Sequence, residues 1–262
     1  MTYESITLDV SDGLARIALN QADIGNPFNA AFCSDWGNVA NELSSRKEVR
    51  AVLITAHGKF FSVGGDIQMF SKNIDVLPDK IRDWTAGLHM GAARMARLNA
   101  PIVAAVHATC MGGACALVAH SDLVFSARSV KFGAAYSQIG YSCDAGASTG
   151  LASRMGISRA RRFLILSEVL NAEDAATAGL VDYVVDDAML FVEAEKAAIK
   201  LAQGPTRAYG EIRRLMSRSL AQPFEAQLED EAQALSRVAA GNDAREGITA
   251  FVEKRKPRFT GQ

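Results

Sequence analysis

The sequence predicts an α/β protein with a substantially parallel sheet and a helical C-terminal third, on three observations. Two short, almost continuously apolar runs, "AVLITA" (51–56) and "IVAAVHA" (102–108), read as strands buried on both faces. Helical stretches alternate with the strands, the order expected of parallel βα units. From residue 144 onward the chain reads mostly as helix, interrupted by one short strand, "VDYVV" (181–185).

The elements follow in order. Residues 3–10 and 14–19 alternate apolar and polar and are split by "SDG", a hairpin signal. Asn29 precedes a helical run to about Ser45. After 51–56, "HGKFFSVGGD" is a glycine-bearing loop leading into a short helix near Ile67–Ser71. A longer helix spans about Pro78–Leu98, and Asn99-Ala100-Pro101 ends it before the second buried strand. Gly112-Gly113 turns the chain into a helix over 114–120, and "DLVFSA" is strand again. Further helices are expected at 144–155, 158–167, 172–178, 187–203, 205–220, 224–240 and 242–255. The division is a core over residues 1–200 and a helical region over 201–262.

Composition removes several function classes. At 262 residues the chain is long enough for a large core. A net charge of −1 argues against a nucleic-acid binder, which normally shows a basic face. Cys33, Cys110, Cys115 and Cys143 are too few for a disulfide framework, and reduced thiols point to the cytoplasm. "MTYESITLDVSDG" lacks the basic start and long apolar run of a signal peptide. Residues 101–120 carry no Lys, Arg, Asp or Glu, but Gly112-Gly113 interrupts them and His107 and His120 lie inside. A buried strand, a tight turn and a buried helix fit better than a membrane span, so a soluble protein is expected.

Three motifs are weak. "GASTG" (146–150) matches the nucleophile elbow around Ser148, but no strand precedes it and every histidine lies upstream, the reverse of the required order. His107, Cys110, Cys115 and His120 miss the usual paired spacing of zinc ligands, so no metal is expected. The basic tail "EKRKPRF" (253–259) reads as charge complementing a helix C-terminus.

Two features carry more. Asp144 is the only charged residue between Lys131 and Arg154, and an isolated carboxylate in apolar surroundings needs hydrogen bonds and often carries chemistry. Its structural reading is the N-cap of a helix from Ala145 to about Met155. Separately, "SVGGD" (62–66) and "CMGGA" (110–114) each place glycines after a buried strand and start a helix. Amides at such starts are unpaired, and two that converged would form an oxyanion hole. Taken singly, each Gly-Gly also reads as no more than a tight turn.

"GKFFSVGGDIQMF", "APIVAAVHATCMGGACALVAHSDLVFSARSVKFG" and "GLVDYVVDD" resemble the crotonase family of enoyl-CoA hydratases and isomerases, over essentially the whole chain. The resemblance implies a spiral of β-β-α units, a homotrimer or dimer of trimers assembled through the helical C-terminal region, and an acyl-coenzyme A thioester as substrate, with no separate cofactor. It puts the oxyanion donors on the amides of Gly65 and Gly113. It lays Ser62, Val63, Gly64, Asp66 and Ile67 along the coenzyme A path, and offers Lys254 and Lys256 to its phosphates across a subunit boundary.

The departures from the family pattern matter most. Hydratases of this family use two glutamates; their positions here hold Ala116 and Tyr136, which the resemblance leaves as substrate contacts. Asp144 falls where several isomerases of the family keep a catalytic aspartate, and "GAAYSQIGYSCDAG" is most similar to ring-1,2-epoxyphenylacetyl-CoA isomerases. The reading is therefore an isomerase in which a thioester enolate is held by two amides and Asp144 alone moves the proton. Two alternatives stand. By likeness to acyl-CoA dehalogenases, Asp144 would be a nucleophile and His89 its base, the family's aromatic ring pocket being met only in part by Leu88 and Tyr136. An inert acyl-CoA-binding scaffold is the other.

Overall fold

The computed structural model describes residues 2–219 and 221–262. β1 (Ile6–Ser11) and β2 (Leu14–Leu19) form the expected antiparallel hairpin. Asp12 and Gly13 both take positive φ, as a two-residue hairpin turn requires. α1 (Ala30–Ser45) starts at Asn29, whose side chain accepts from the Phe32 amide at 3.0 Å. β3 (Ala51–Ala56), α2 (Ile67–Lys72), α3 (Leu77–Arg97) and β4 (Ile102–Val106) follow close to their predicted bounds. The charge-free segment thus resolves into β4, a two-residue strand β5 (Cys110–Met111) and α4 (Gly113–Ala119), all buried or nearly so. Among the described residues, no helix is long and apolar enough to cross a membrane.

β6 (Leu123–Ala127) and β7 (Lys131–Gly133) precede α5 (Ala147–Met155) and α6 (Ile157–Ile165). β8 (Val169–Asn171), α7 (Ala172–Thr177), β9 (Tyr183–Val185) and α8 (Leu190–Ala202) complete the sheets and their covering helices. The larger sheet runs β1-β2-β3-β4-β6-β9 and is parallel after the first hairpin. Every residue of β4 is buried, which accounts for its unbroken apolar run. A second sheet, β5-β7-β8, stands beside it. β5 and β8 escape a reading by periodicity because two or three residues show no period.

The chain then turns wholly helical: α9 (Thr206–Arg218), α10 (Phe224–Ala239) and α11 (Asn242–Val252). Leu220, the end of the helix expected over 205–220, lies outside the described residues. Arg213 ties α9 to the core through the Leu98 carbonyl and Asp122, the latter at 2.8 Å. α9–α11 leave large apolar side chains exposed, among them Ile212, Met216, Phe224, Leu235 and Phe251, the last 84 % exposed.

Candidate active site

The two glycine turns lie against one another. The Phe61 amide donates to the Thr109 carbonyl at 3.1 Å and the Met111 amide to the Ser62 carbonyl at 3.0 Å, so the segments run side by side. Gly64, at φ +82°, sits so close that a Cβ there would stand 2.9 Å from the Met111 carbonyl oxygen. Gly112, at φ +54°, is the residue before α4. The backbone is thus allowed to approach and to turn only by glycine. Ser62 is fully buried behind the turn, its hydroxyl donating to the Asn26 carbonyl at 2.7 Å and accepting from the Gly64 amide. Among the described residues, neither the Gly65 amide nor the Gly113 amide has an acceptor. Phe28 links them: it bridges to Gly65 through the backbone, and its ring would stand 2.8 Å from a Cβ on Gly113.

Asp144 faces this corner. One carboxylate oxygen, Oδ1, is 3.6 Å from the position a Cβ on Gly113 would take. The same oxygen accepts from the Tyr136 hydroxyl at 2.9 Å. Burial and then the Asp144 charge push the Tyr136 phenol well above its ordinary range, so it remains a donor. Burial and the same carboxylate push the nearby Cys33 thiol up to about 12, leaving it protonated. The capping expectation for Asp144 is corrected. α5 starts at Ala147 behind Gly146, with no side-chain cap. Ala145 at φ +51° and Gly146 at φ +79° put two left-handed residues between the aspartate and the helix, which frees its carboxylate for Tyr136.

His89, on α3, is brought to the same turn, but its Nε2 accepts the Ala145 amide at 3.1 Å. That lone pair is engaged, which removes it as the base of a nucleophilic Asp144 in this arrangement. Ala116 is corrected as a substrate contact: it has no exposed surface, because all of α4 is buried. The two hydratase positions therefore hold a core alanine and a tyrosine bonded to Asp144.

A groove of about 1130 Å3 leads away from Gly65. Of the residues that family likeness laid along the coenzyme A path, Val63, Asp66 and Ile67 line this groove, whereas Ser62 and Gly64 do not, both being buried in the turn. Asp66 also caps α2, accepting from the Met69 amide at 2.9 Å. Lys254 and Lys256 do not line it; Lys256 borders a separate pocket with Arg50 and Asp243, where the tail folds back on its own chain. The lysines on the groove are Lys59 and Lys72, which sequence reasoning missed although Lys59 stands in "GKFF" and Lys72 ends α2. It also missed an aromatic stack beside Gly65. The Phe70 ring would stand 3.0 Å from a Cβ on Gly65. It stacks on Trp84 (centroids 6.2 Å) and on Tyr141 (5.7 Å). Among the described residues, no three His, Cys, Asp or Glu side chains gather as metal ligands.

A family model described as "Enoyl-CoA hydratase/isomerase" matches residues 9–262. The chain belongs to this family. It is 32 % identical to a "Probable enoyl-CoA hydratase" of Rhodobacter capsulatus, over the whole of both chains. It is 30 % identical to the 1,2-epoxyphenylacetyl-CoA isomerase of Escherichia coli, over 99 % of each. The solved structure of an enoyl-CoA hydratase/isomerase-family protein from Mycobacterium abscessus superposes with a TM-score of 0.91 at 29 % identity, covering 98 % of this chain and all of that one. The fold is thus the crotonase fold, and the chain is an acyl-CoA enzyme of a family that contains both hydratases and isomerases.

Proposed function

We propose that this enzyme is an isomerase that shifts a double bond, or opens an epoxide ring, through a thioester enolate. The thioester carbonyl takes hydrogen bonds from the Gly65 and Gly113 amides, which makes the adjacent C–H acidic. Asp144 removes a proton from one carbon and returns it to another, with Tyr136 fixing one of its oxygens. Coenzyme A enters as part of the substrate, along the groove, with Lys59 and Lys72 near its phosphates. No further cofactor is needed for that chemistry. The exposed apolar side chains of α9–α11 support self-association, for which the family likeness implies a homotrimer or dimer of trimers, and the few cysteines are those of a cytoplasmic protein.

The observation that carries the reading is the Asp144 carboxylate beside Gly113, at a site where Ala116 and Tyr136 replace both hydratase glutamates. Supplied with a linear 3-enoyl-CoA, the enzyme is expected to form the conjugated 2-enoyl thioester. Asp144→Asn should slow this about 10²–10⁴-fold, the usual weight of a positioned acid–base group. Hydration of 2-enoyl-CoA at a comparable rate would instead make it a hydratase acting without glutamates. Hydrolysis of an aryl thioester or halide would make Asp144 a nucleophile. Activity equal in enzyme and variant on every substrate would leave a scaffold.

A further inference from the structure

We infer that His89 and His120 are positioning residues, a pair of imidazoles that clasp the Ala145–Gly146 turn from opposite ends and so hold Asp144 against Gly113. The inference rests on Asp144 being the acid–base group of that site. Its basis is three contacts on three consecutive residues. Tyr136 bonds the Asp144 side chain at 2.9 Å, His89 Nε2 accepts the Ala145 amide at 3.1 Å, and His120 Nε2 meets the Gly146 carbonyl at 3.0 Å.

The tautomers follow from the partners. An amide only donates, so His89 Nε2 carries the lone pair and its proton is on Nδ1. A carbonyl only accepts, so His120 Nε2 carries its proton. The two rings come from different elements, His89 from α3 and His120 from the residue ending α4, and both converge on a turn that resists its own conformation. Ala145 is an alanine at φ +51°, a region side chains avoid, and such a backbone persists only where its surroundings fix it.

The glycines of "GASTG" acquire a purpose here that has nothing to do with a nucleophilic serine. A Cβ on Gly146 would stand 2.5 Å from His120 Nε2, and one on Gly150 would stand 2.9 Å from it. Both glycines leave room for the second imidazole. A carboxylate displaced by an ångström or so loses its alignment with the thioester, which costs rate rather than binding. Groove and glycine turns, which hold the thioester, are built from other segments.

The test uses kinetics and the tautomers themselves. His89→Leu and His120→Leu should each lower kcat on the order of tenfold to a hundredfold, with KM changed less than about threefold. His89→Gln, whose Oε1 can accept the Ala145 amide, and His120→Gln, whose Nε2 can donate to Gly146, should recover most of the loss. Adding His89→Leu to Asp144→Asn should cost nothing further, because His89 acts through Asp144. If His89→Gln falls as far as His89→Leu, the imidazole does chemistry and the clasp is wrong; if His89→Leu keeps full kcat, the clasp is idle. Nitrogen-15 NMR of the labelled histidines reads the arrangement without any substrate. It should show His89 protonated on Nδ1 and His120 on Nε2, and His89 protonated on Nε2 would overturn the proposal even if the assigned reaction proved wrong.

Discussion

The site is built from three turns of two kinds. The turns at Gly64-Gly65 and Gly112-Gly113 are stitched to each other by backbone: Met111 amide to Ser62 carbonyl, Phe61 amide to Thr109 carbonyl, and a closest approach that only glycine permits. The turn at Asp144-Ala145-Gly146 is held by side chains, Tyr136, His89 and His120, that arrive from three other places in the chain. The first kind supplies fixed amide dipoles, whose value lies in not moving. The second kind carries the one group that must exchange a proton, and each side chain holding it can be removed singly.

That contrast orders the expected effects. Gly64→Ala should be the most damaging, since alanine must adopt φ +82° with its Cβ against the Met111 carbonyl. Left-handed backbone plus a clash with backbone predicts a loss of about 2–4 kcal/mol and near-complete loss of activity, read by thermal unfolding and thioester binding. An unchanged melting temperature would show the two turns to be less closely coupled than their hydrogen bonds indicate. Tyr136→Phe should be milder. It removes one hydrogen bond to a charged group, worth about 1.5–3 kcal/mol, so kcat should fall roughly ten- to a hundredfold with the fold intact. A kcat unchanged in this variant would remove Tyr136 from the account.

The smallest effect is expected far from all three turns. Glu211 on α9 is held down to about 2 by Arg237 and Arg214. A lowered carboxylate contributes stability that is present above its ordinary value of 4.5 and is lost as pH falls toward 2. Glu211→Gln should therefore flatten the acid-unfolding profile in that window and leave kcat alone; a change in kcat would show that α9 reaches the site.

What the sequence made legible follows the same division. The glycine turns are local: their residues, the buried strands before them and the helices after them are contiguous, so pattern alone exposes them. β3, β4 and α1 with its Asn29 cap are legible for the same reason. The Asp144 turn is not local. His89 reaches Ala145 across 56 residues and His120 reaches Gly146 across 26, and no spacing rule announces such pairings. Asp144 itself stood out by its isolation, but the cap assigned to it failed because a left-handed Ala145 is invisible to propensity. Phe70, Trp84 and Tyr141 meet from three segments and were missed on the same grounds. Lys254 and Lys256 were offered by family likeness, and within this chain the tail folds away from the groove.

The most direct test of the central claim, that one carboxylate moves the proton over two glycine amides, is to run the reaction in heavy water. A 3-enoyl-CoA is turned over by the enzyme and by Asp144→Asn, and mass spectrometry counts deuterium in the acyl chain. The account predicts conjugated product with the enzyme, carrying deuterium wherever Asp144 exchanges its proton with solvent before returning it, and product and exchange both slowed about 10²–10⁴-fold with the variant while thioester binding is retained. Deuterium entering at the same rate with the variant would mean that another group moves the proton, and the account would be wrong.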